Sequence, residues 1–177
     1  MRFAFFTAVL VSLFLMSCSN EPSLQKYFVE NSEKKDFVML DVSPSIINVD
    51  EVKLTPEQKT ALQSFDKMNI LVFKSNDKNK SLYQSETKKL GTILKGQDYQ
   101  ELMWVGSGKD GASVSFVGED DDIDEFIFYA KNQDNGFAVV RILGNDMNPN
   151  NIMNMISVLQ SAKVDMEQLK PLQGLLK

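Results

Sequence analysis

The sequence predicts an α+β fold, with a mixed or antiparallel sheet that ends in a four-stranded meander and helices packed mainly on one face. Two observations predict it. Four strand-like runs follow one another over residues 99–143, separated by short turns rich in Gly, Asp and Asn. Helical patterns lie before and after these runs, and such segregation of strands and helices along the chain is typical of α+β folds.

The N-terminal part begins with a predicted helix and a predicted strand. Pro22 suits a first helical position, and Leu24, Tyr27 and Phe28 mark one apolar face of the helix that follows. The run DFVMLDV at 36–42 then predicts a first strand.

The next helix has a strong start signal. Thr55 is placed to be its N-cap, Pro56 lies at the first helical position, and Gln58 completes a capping box. The run MNILVF at 68–73 predicts a short buried strand, and a helix is predicted over 79–95. The residues available to the buried side of that helix are Leu82, Leu90, Ile93 and Leu94.

The meander follows, and two further helices end the chain. Its strands are predicted at 99–106, 112–118, 123–130 and 137–143. The pairs Asp110-Gly111 and Asn135-Gly136 signal hairpins, because tight turns need the positive φ that Gly and Asn adopt at low cost. Asn148-Pro149 then begins a helix, and a last helix is predicted over 166–176. The apolar stripe of the first of these helices consists of Ile152, Met155, Ile156 and Leu159.

An apolar run at 3–16 follows Arg2 at the N-terminus. It is shorter than the roughly 20 residues of a transmembrane helix and fits a signal-peptide apolar region. A core helix is the alternative, but the run has no polar face to present to solvent. We therefore expect a signal peptide at 1–17, a lipidated N-terminus with the first helix at 18–36, and a single α+β domain at 37–177.

The run Leu15-Met16-Ser17-Cys18 resembles a bacterial lipobox. The resemblance implies cleavage before Cys18 and attachment of lipid to its sulfur and its new amine, palmitate being a typical acyl chain. Cys18 is the only cysteine of the chain and cannot form an internal disulfide. A buried, inert cysteine is the alternative to lipidation. With the lipid attached, we expect a membrane-bound protein of the bacterial cell envelope that needs no other cofactor.

The charge of the chain limits its partners. Removal of 1–17 takes away one of the 19 basic residues and none of the 24 acidic ones, so the mature chain is more acidic than the formal net charge of −5 of the whole. Nucleic acid is therefore not expected as a partner, and no polybasic patch assists the lipid anchor. An envelope protein or a second copy of the chain remains a candidate partner.

The mature chain resembles the lipoproteins of Bacteroidota that form domain-of-unknown-function family 4252. The residues that carry the resemblance are the lipobox at Cys18, MNILVFKS at 68–75, the meander from YQELM at 99–103 onward, and FAVVRILGN at 137–145. The resemblance implies a shared fold and a location in the cell envelope, with the outer membrane as the family-level expectation. It implies no activity and transfers no functional residues.

No catalytic residue is predicted. The chain contains no histidine, which excludes Ser-His-Asp, Cys-His and imidazole-metal chemistry. The run GSGKDG at 106–111 lacks the spacing of a phosphate-binding loop and is interpreted as a hairpin turn. Carboxylate-only hydrolysis remains open, since it requires no histidine.

The acidic run EDDDIDE at 119–125 is the candidate metal site. Ca²⁺ binds several hard oxygen ligands, but the run lacks the alternating spacing and the glycine of an EF-hand loop. A solvated acidic turn is the alternative, because Asp is a common turn residue. The candidate ligands are Glu119, Asp120, Asp121, Asp122 and Asp124.

The runs FIFY and FAVV of the meander are apolar at every position, whereas a sheet covered on one side alternates apolar and polar residues. Either helices cover both faces of these strands, or one face meets a partner, a second copy or lipid. The candidate partner face consists of Phe126, Phe128, Tyr129 and Phe137. We therefore expect a non-enzymatic, lipid-anchored protein that binds or scaffolds macromolecules. A small-ligand or Ca²⁺ module is the second expectation, and a carboxylate-only hydrolase is the third.

Overall fold

The computed structural model describes residues 22–48, 52–161 and 163–164. The predicted signal peptide, Cys18 and the predicted helix at 166–176 lie outside the described residues. Of the helices in the described ranges, none combines the length and the apolar character needed to cross a membrane.

The described residues form an α+β domain, as the sequence predicts. The helices are α1 (Leu24–Asn31), α2 (Pro56–Gln63), α3 (Lys80–Ile93) and α4 (Pro149–Ser161). The strands are β1 (Phe37–Val42), β2 (Ile47–Asn48), β3 (Phe65–Lys74), β4 (Gln100–Ser107), β5 (Asp110–Glu119), β6 (Asp122–Asn132), β7 (Gly136–Met147) and β8 (Lys163–Val164). A 3-10 turn at Pro44–Ile46 and the two short strands β2 and β8 were not predicted.

Six of these strands form one antiparallel sheet in the order β1-β3-β7-β6-β5-β4. The predicted meander of β4 to β7 is therefore confirmed. At the centre of the sheet, Leu71 of β3 pairs with Met39 of β1 on one side and with Val139 of β7 on the other. Because β7 pairs with β3, β4 lies at the edge of the sheet. Strands β2 and β8 pair in a small second sheet.

Helices α1 and α3 cover one face of the sheet, which we call the α1 face. Side chains alternate between the two faces along each strand. Leu71 of β3, Val139 of β7 and Ile127 of β6 share the α1 face and form one core cluster with Leu24 of α1 and Leu90 of α3. All five side chains are almost completely buried.

Helices α2 and α4 lie on the opposite face, which we call the α4 face. Ile152 and Met155 of α4 form a second cluster with Phe126 of β6 and Ile142 of β7. Helices therefore lie on both faces of the sheet and not mainly on one, which differs from the expectation. The physical reason is that the central strands are apolar on both sides, and each apolar face needs cover from water.

The starts of α1 and α2 differ in how well the sequence predicts them. Thr55 and Gln58 form the expected capping box: Gln58 N donates to Thr55 Oγ1 at 3.2 Å, and Thr55 N donates to Gln58 Oε1 at 3.0 Å. In α1, however, the N-cap is Ser23, whose Oγ accepts from the backbone N–H of Lys26. Pro22 thus precedes the cap and does not occupy the first helical position.

Candidate functional site

The edge strand β4 is the least covered strand of the main sheet. It pairs with β5 on one side, and no other strand in the described ranges pairs with its second side. All residues of β4 are exposed, and the exposed fractions of Met103, Trp104 and Val105 are 53%, 42% and 60%. A long apolar edge strand offers an unpaired backbone to which another chain can add a strand.

A β-bulge determines which way the side chains of β4 point. The register of β4 against β5 shifts between Glu101 and Met103, so Leu102 is the extra residue of the bulge. After the bulge, the alternation of the strand places Met103 and Val105 on the α4 face and Trp104 on the α1 face. Both sides of β4 therefore carry large apolar side chains.

The hairpin turn lies two residues before the position that the sequence signals. Ser107 pairs with Asp110, so Gly108 and Lys109 form the turn and Asp110-Gly111 belongs to β5. Gly108 has a φ of +37°, a left-handed conformation that favours glycine. The turn is additionally held by Lys131, whose Nζ donates to the carbonyl oxygen of Gly108 at 2.8 Å. The GSGKDG run is therefore a hairpin.

On the α4 face, the side chains next to β4 enclose an apolar groove of about 270 Å³. Helix α4 covers the end of this face near Phe126 and Ile142, and the groove lies where that cover stops. We call it the apolar groove. Its walls include Met103 and Val105 from β4, Val114 from β5, Phe128 from β6, and Ala138 and Val140 from β7.

On the α1 face, a second groove of about 370 Å³ lies between α3 and the strands β4 to β6. We call it the Trp104 groove. In contrast to the apolar groove, it contains several hydroxyl and charged groups. Its lining includes Thr87 and Gly91 from α3, Leu94 and Lys95 just after that helix, Trp104 from β4, Ser113 and Ser115 from β5, and Tyr129 from β6.

Two contacts hold the indole ring of Trp104. A Cβ atom added at Gly111 would lie 2.6 Å from Cζ2 of Trp104, so the ring rests directly on the glycine backbone. The ammonium group of Lys131 lies 5.6 Å from the ring centroid, within the range of a cation–π interaction. The indole is therefore held in place by residues of the chain itself.

Tyr129 contributes a buried phenol to the same groove. Its side chain is 4% exposed, and its hydroxyl makes no hydrogen bond to the described residues. Burial raises the pKa of Tyr129 well above its ordinary value, and the neighbouring phenol of Tyr83 adds to the effect. The group is therefore a neutral hydroxyl at physiological pH. Its hydrogen-bonding capacity is unused within the described structure.

Most of the described domain matches the model of a known protein family. A family model for a domain of unknown function, DUF4252, matches residues 27–155. This span covers well over half of the chain and includes both grooves and the whole of the six-stranded sheet. The chain belongs to the DUF4252 family. No curated protein and no solved structure matches this DUF4252 chain.

The four residues predicted as a partner face lie in different environments of the DUF4252 domain. Phe126, Tyr129 and Phe137 are buried, with exposed fractions of 1%, 4% and 4%. Phe128 is half-buried and lines the apolar groove. Helices cover most of both faces, and the exposed apolar surface lies further along the sheet at β4. The sequence pattern did not predict Leu102, Met103, Trp104 or Val105 as part of a partner face.

The acidic run of the DUF4252 domain forms the turn between β5 and β6. Glu119 pairs with Asp122, so Asp120 and Asp121 are the two turn residues. These four residues and Asp124 are exposed. Among the described residues, no three acidic, cysteine or histidine side chains are grouped so that they could hold a metal ion. The geometry thus gives the Ca²⁺ interpretation no support.

The hydrolase alternative depends on which carboxylates line the two grooves. Glycoside hydrolysis by carboxylates needs two such groups that face each other across the substrate. In the described part of the DUF4252 domain, Glu101 is the single carboxylate that lines the Trp104 groove, and the apolar groove has none. Neither groove therefore offers a catalytic pair.

Proposed function

We propose that this chain is a lipid-anchored envelope protein that binds an extended segment of a partner protein along β4 and catalyses no reaction. The observation that carries the proposal is the exposure of β4 over its whole length at the edge of the main sheet. Natural proteins usually shorten, charge or cover such an edge, because it pairs readily with other chains. Glu101 is the only charged residue in β4.

Strand addition explains why β4 is exposed over its whole length and why it carries only one charged residue. The unpaired N–H and C=O groups of β4 would form main-chain hydrogen bonds with an added strand. These bonds provide affinity that does not depend on the side chains of the partner segment. Alternate side chains of the added strand would lie next to Met103 and Val105 and extend toward the apolar groove. We therefore expect the partner segment to carry apolar residues at every second position.

The packing of α1 supports a position close to the membrane. Leu24, Tyr27 and Phe28 are almost completely buried, so α1 is part of the folded body. Four peptide steps separate Pro22 from Cys18, a reach of at most about 14 Å. A lipid on Cys18 would thus hold the sheet near the bilayer. Its partner would then be a protein of the same envelope compartment.

Site-specific photocrosslinking in cells tests the proposal. A photoreactive amino acid is introduced in the full chain at Met103 or Val105, and the matched control carries it at Val29. Val29 is a suitable control because its side chain is 63% exposed, close to the 60% of Val105, but it lies on α1 away from β4. We expect both β4 probes to crosslink to one segment of one partner.

The pattern of the crosslinks decides the outcome. Because Met103 and Val105 are two residues apart on one face, strand addition predicts crosslinks to partner residues that are also two apart. A Cys18→Ala chain, which cannot be lipidated, should lose these crosslinks while the purified protein keeps its melting temperature. If β4 and Val29 capture the same proteins to the same extent, β4 is not the partner site and the proposal is wrong.

A small-ligand module, the second function that the sequence predicts, is favoured by one separate observation. This is the Trp104 groove, whose polar lining differs from that of the apolar groove on the other side of the same strands.

A further inference from the structure

The Trp104 groove has the size and shape of a small-molecule site. Its volume of about 370 Å³ lies within the range of about 300–1,000 Å³ that is usual for ligand pockets. Two rigid elements form it, helix α3 on one side and the sheet on the other. The groove is therefore formed before any ligand is present.

One wall of the groove is aromatic and one part of its lining is rich in hydroxyl groups. Trp104 is held on Gly111 and below Lys131, yet 42% of its side chain remains exposed. Tyr129 adds a hydroxyl that has no hydrogen-bond partner among the described residues, and Ser113 adds another to the lining. A buried hydroxyl without a partner is unfavourable, so a ligand that supplies one would be bound preferentially.

The charges of the groove indicate a ligand without net charge. The lining contains two lysines, Lys95 and Lys131, and one carboxylate, Glu101, so its formal excess is a single positive charge. Lys131 is in addition engaged with the Gly108 carbonyl oxygen and the indole ring. A phosphate or carboxylate ligand would meet Glu101 and have no free cluster of cations. A purely apolar ligand would leave the hydroxyl groups unsatisfied.

We propose that the Trp104 groove is a binding site for a neutral saccharide. A pyranose ring has an apolar face of C–H groups, which can pack against the exposed part of the Trp104 indole. Its hydroxyl groups both donate and accept hydrogen bonds, as the unpartnered Tyr129 hydroxyl requires. This inference goes beyond the partner strand proposed for β4, since it concerns the α1 face and does not depend on pairing at the sheet edge.

The fluorescence of the protein reports on this site directly, because Trp104 is the only tryptophan of the chain. The probes are the β-1,4-linked tetramer of N-acetylglucosamine, cellotetraose and maltotetraose, with dodecanoate as an apolar comparison. We expect saturable change of the tryptophan emission with at least one saccharide. Emission that responds to none of the three, or only to dodecanoate, overturns the assignment.

The Tyr129→Phe variant separates binding from folding. It removes only the unpartnered hydroxyl, so we expect an unchanged or slightly higher melting temperature and about two- to tenfold weaker binding of the saccharide. Val29→Ala, at an exposed position of α1 outside the groove lining, is the matched control and should bind as the unaltered protein does. Equal affinity of Tyr129→Phe and the unaltered protein contradicts the site. The crosslinks from Val105 test the partner strand independently, so failure of either proposal is distinguishable from failure of the other.

Discussion

Arg141 of β7 forms a buried, bidentate ion pair with Glu125 of the neighbouring strand β6. Nε of Arg141 lies 2.7 Å from Oε1 of Glu125, and its Nη2 lies 2.7 Å from Oε2. The remaining side of the guanidinium group contacts α1, where Nη1 donates to Gln25 and the group lies 5.4 Å from the ring centroid of Phe28. The pair therefore joins the first helix to the sheet.

Glu125→Gln should destabilise the fold strongly. The substitution leaves the buried guanidinium group of Arg141 without its counter-charge, which typically costs about 3–5 kcal/mol. The measurement is the free energy of unfolding from urea titration. The double variant Glu125→Leu, Arg141→Met should recover much of the loss, because it removes both charges together.

The control for this prediction is an exposed ion pair between α1 and α3. Glu30 lies 3.5 Å from Lys89, and both side chains are more than 40% exposed. Glu30→Gln should change the free energy of unfolding by no more than about 1 kcal/mol, since water screens the pair. Similar losses for Glu125→Gln and Glu30→Gln would show that burial does not determine the contribution of the Arg141 pair.

Tyr27→Phe and Tyr129→Phe should have opposite effects on stability. The hydroxyl of Tyr27 donates to Oε2 of Glu86 at 2.7 Å inside the core. Its removal should cost about 1.5–3 kcal/mol, the usual contribution of a hydrogen bond to a charged group. The hydroxyl of Tyr129 has no such partner, so its removal should be neutral or slightly stabilising. Equal losses in urea unfolding of the two variants would contradict the assigned hydrogen bonds.

Alkaline pH should destabilise the protein through its buried tyrosines. Burial raises the pKa of Tyr27, Tyr83, Tyr99 and Tyr129, the four tyrosines of the chain, above the ordinary value of 10.0. A raised pKa means that the unfolded chain releases these protons first. The associated stability is therefore complete below about pH 10 and decreases above it.

The slope of this decrease is measurable. It approaches about 1.4 kcal/mol per pH unit for each tyrosine that ionises only in the unfolded chain. Urea unfolding between pH 8 and pH 11 checks it, and the Tyr27→Phe, Tyr129→Phe double variant should show a shallower decrease. A free energy of unfolding that stays constant from pH 9 to pH 11 would exclude the effect.

The features of the fold that the sequence predicts well are specified by nearby residues. Thr55 and Gln58 are three positions apart and form their capping box within one helical turn. The strands of the meander follow from short turns that carry Gly, Asn and Asp. Such signals need no information about the rest of the chain, which explains why the α+β class and the four-stranded meander are correct.

The arrangement of these elements in space depends on contacts between distant residues. No local pattern shows that β7 pairs with β3, and this pairing is what leaves β4 at the edge. Glu125 belongs to an acidic run that resembles a solvated turn, but Arg141, 16 residues later, pairs with it in the core. The same limit applies to the Trp104 groove, which is formed by a helix and a sheet from separate parts of the chain.

Gly111→Ala should displace Trp104, whereas Gly91→Ala should stabilise the protein. A methyl group at Gly111 would lie 2.6 Å from Cζ2 of Trp104 and 2.9 Å from the backbone oxygen of Val105. Because the indole and β4 must both move, we expect a loss of about 1–3 kcal/mol. The emission of Trp104 should also shift to longer wavelength, as the ring becomes more exposed to water.

Gly91 is the matched control because it lines the same groove from α3. A methyl group there would meet no atom within 4 Å, and Gly91 lies inside a helix. Replacement of a helical glycine by alanine typically stabilises by about 0.5–1 kcal/mol, through helix propensity and a less flexible unfolded chain. Urea unfolding and tryptophan emission of both variants provide the check. If Gly111→Ala leaves the emission unchanged, the close approach of the indole to the β5 backbone is incorrect, and so is the aromatic wall of the Trp104 groove.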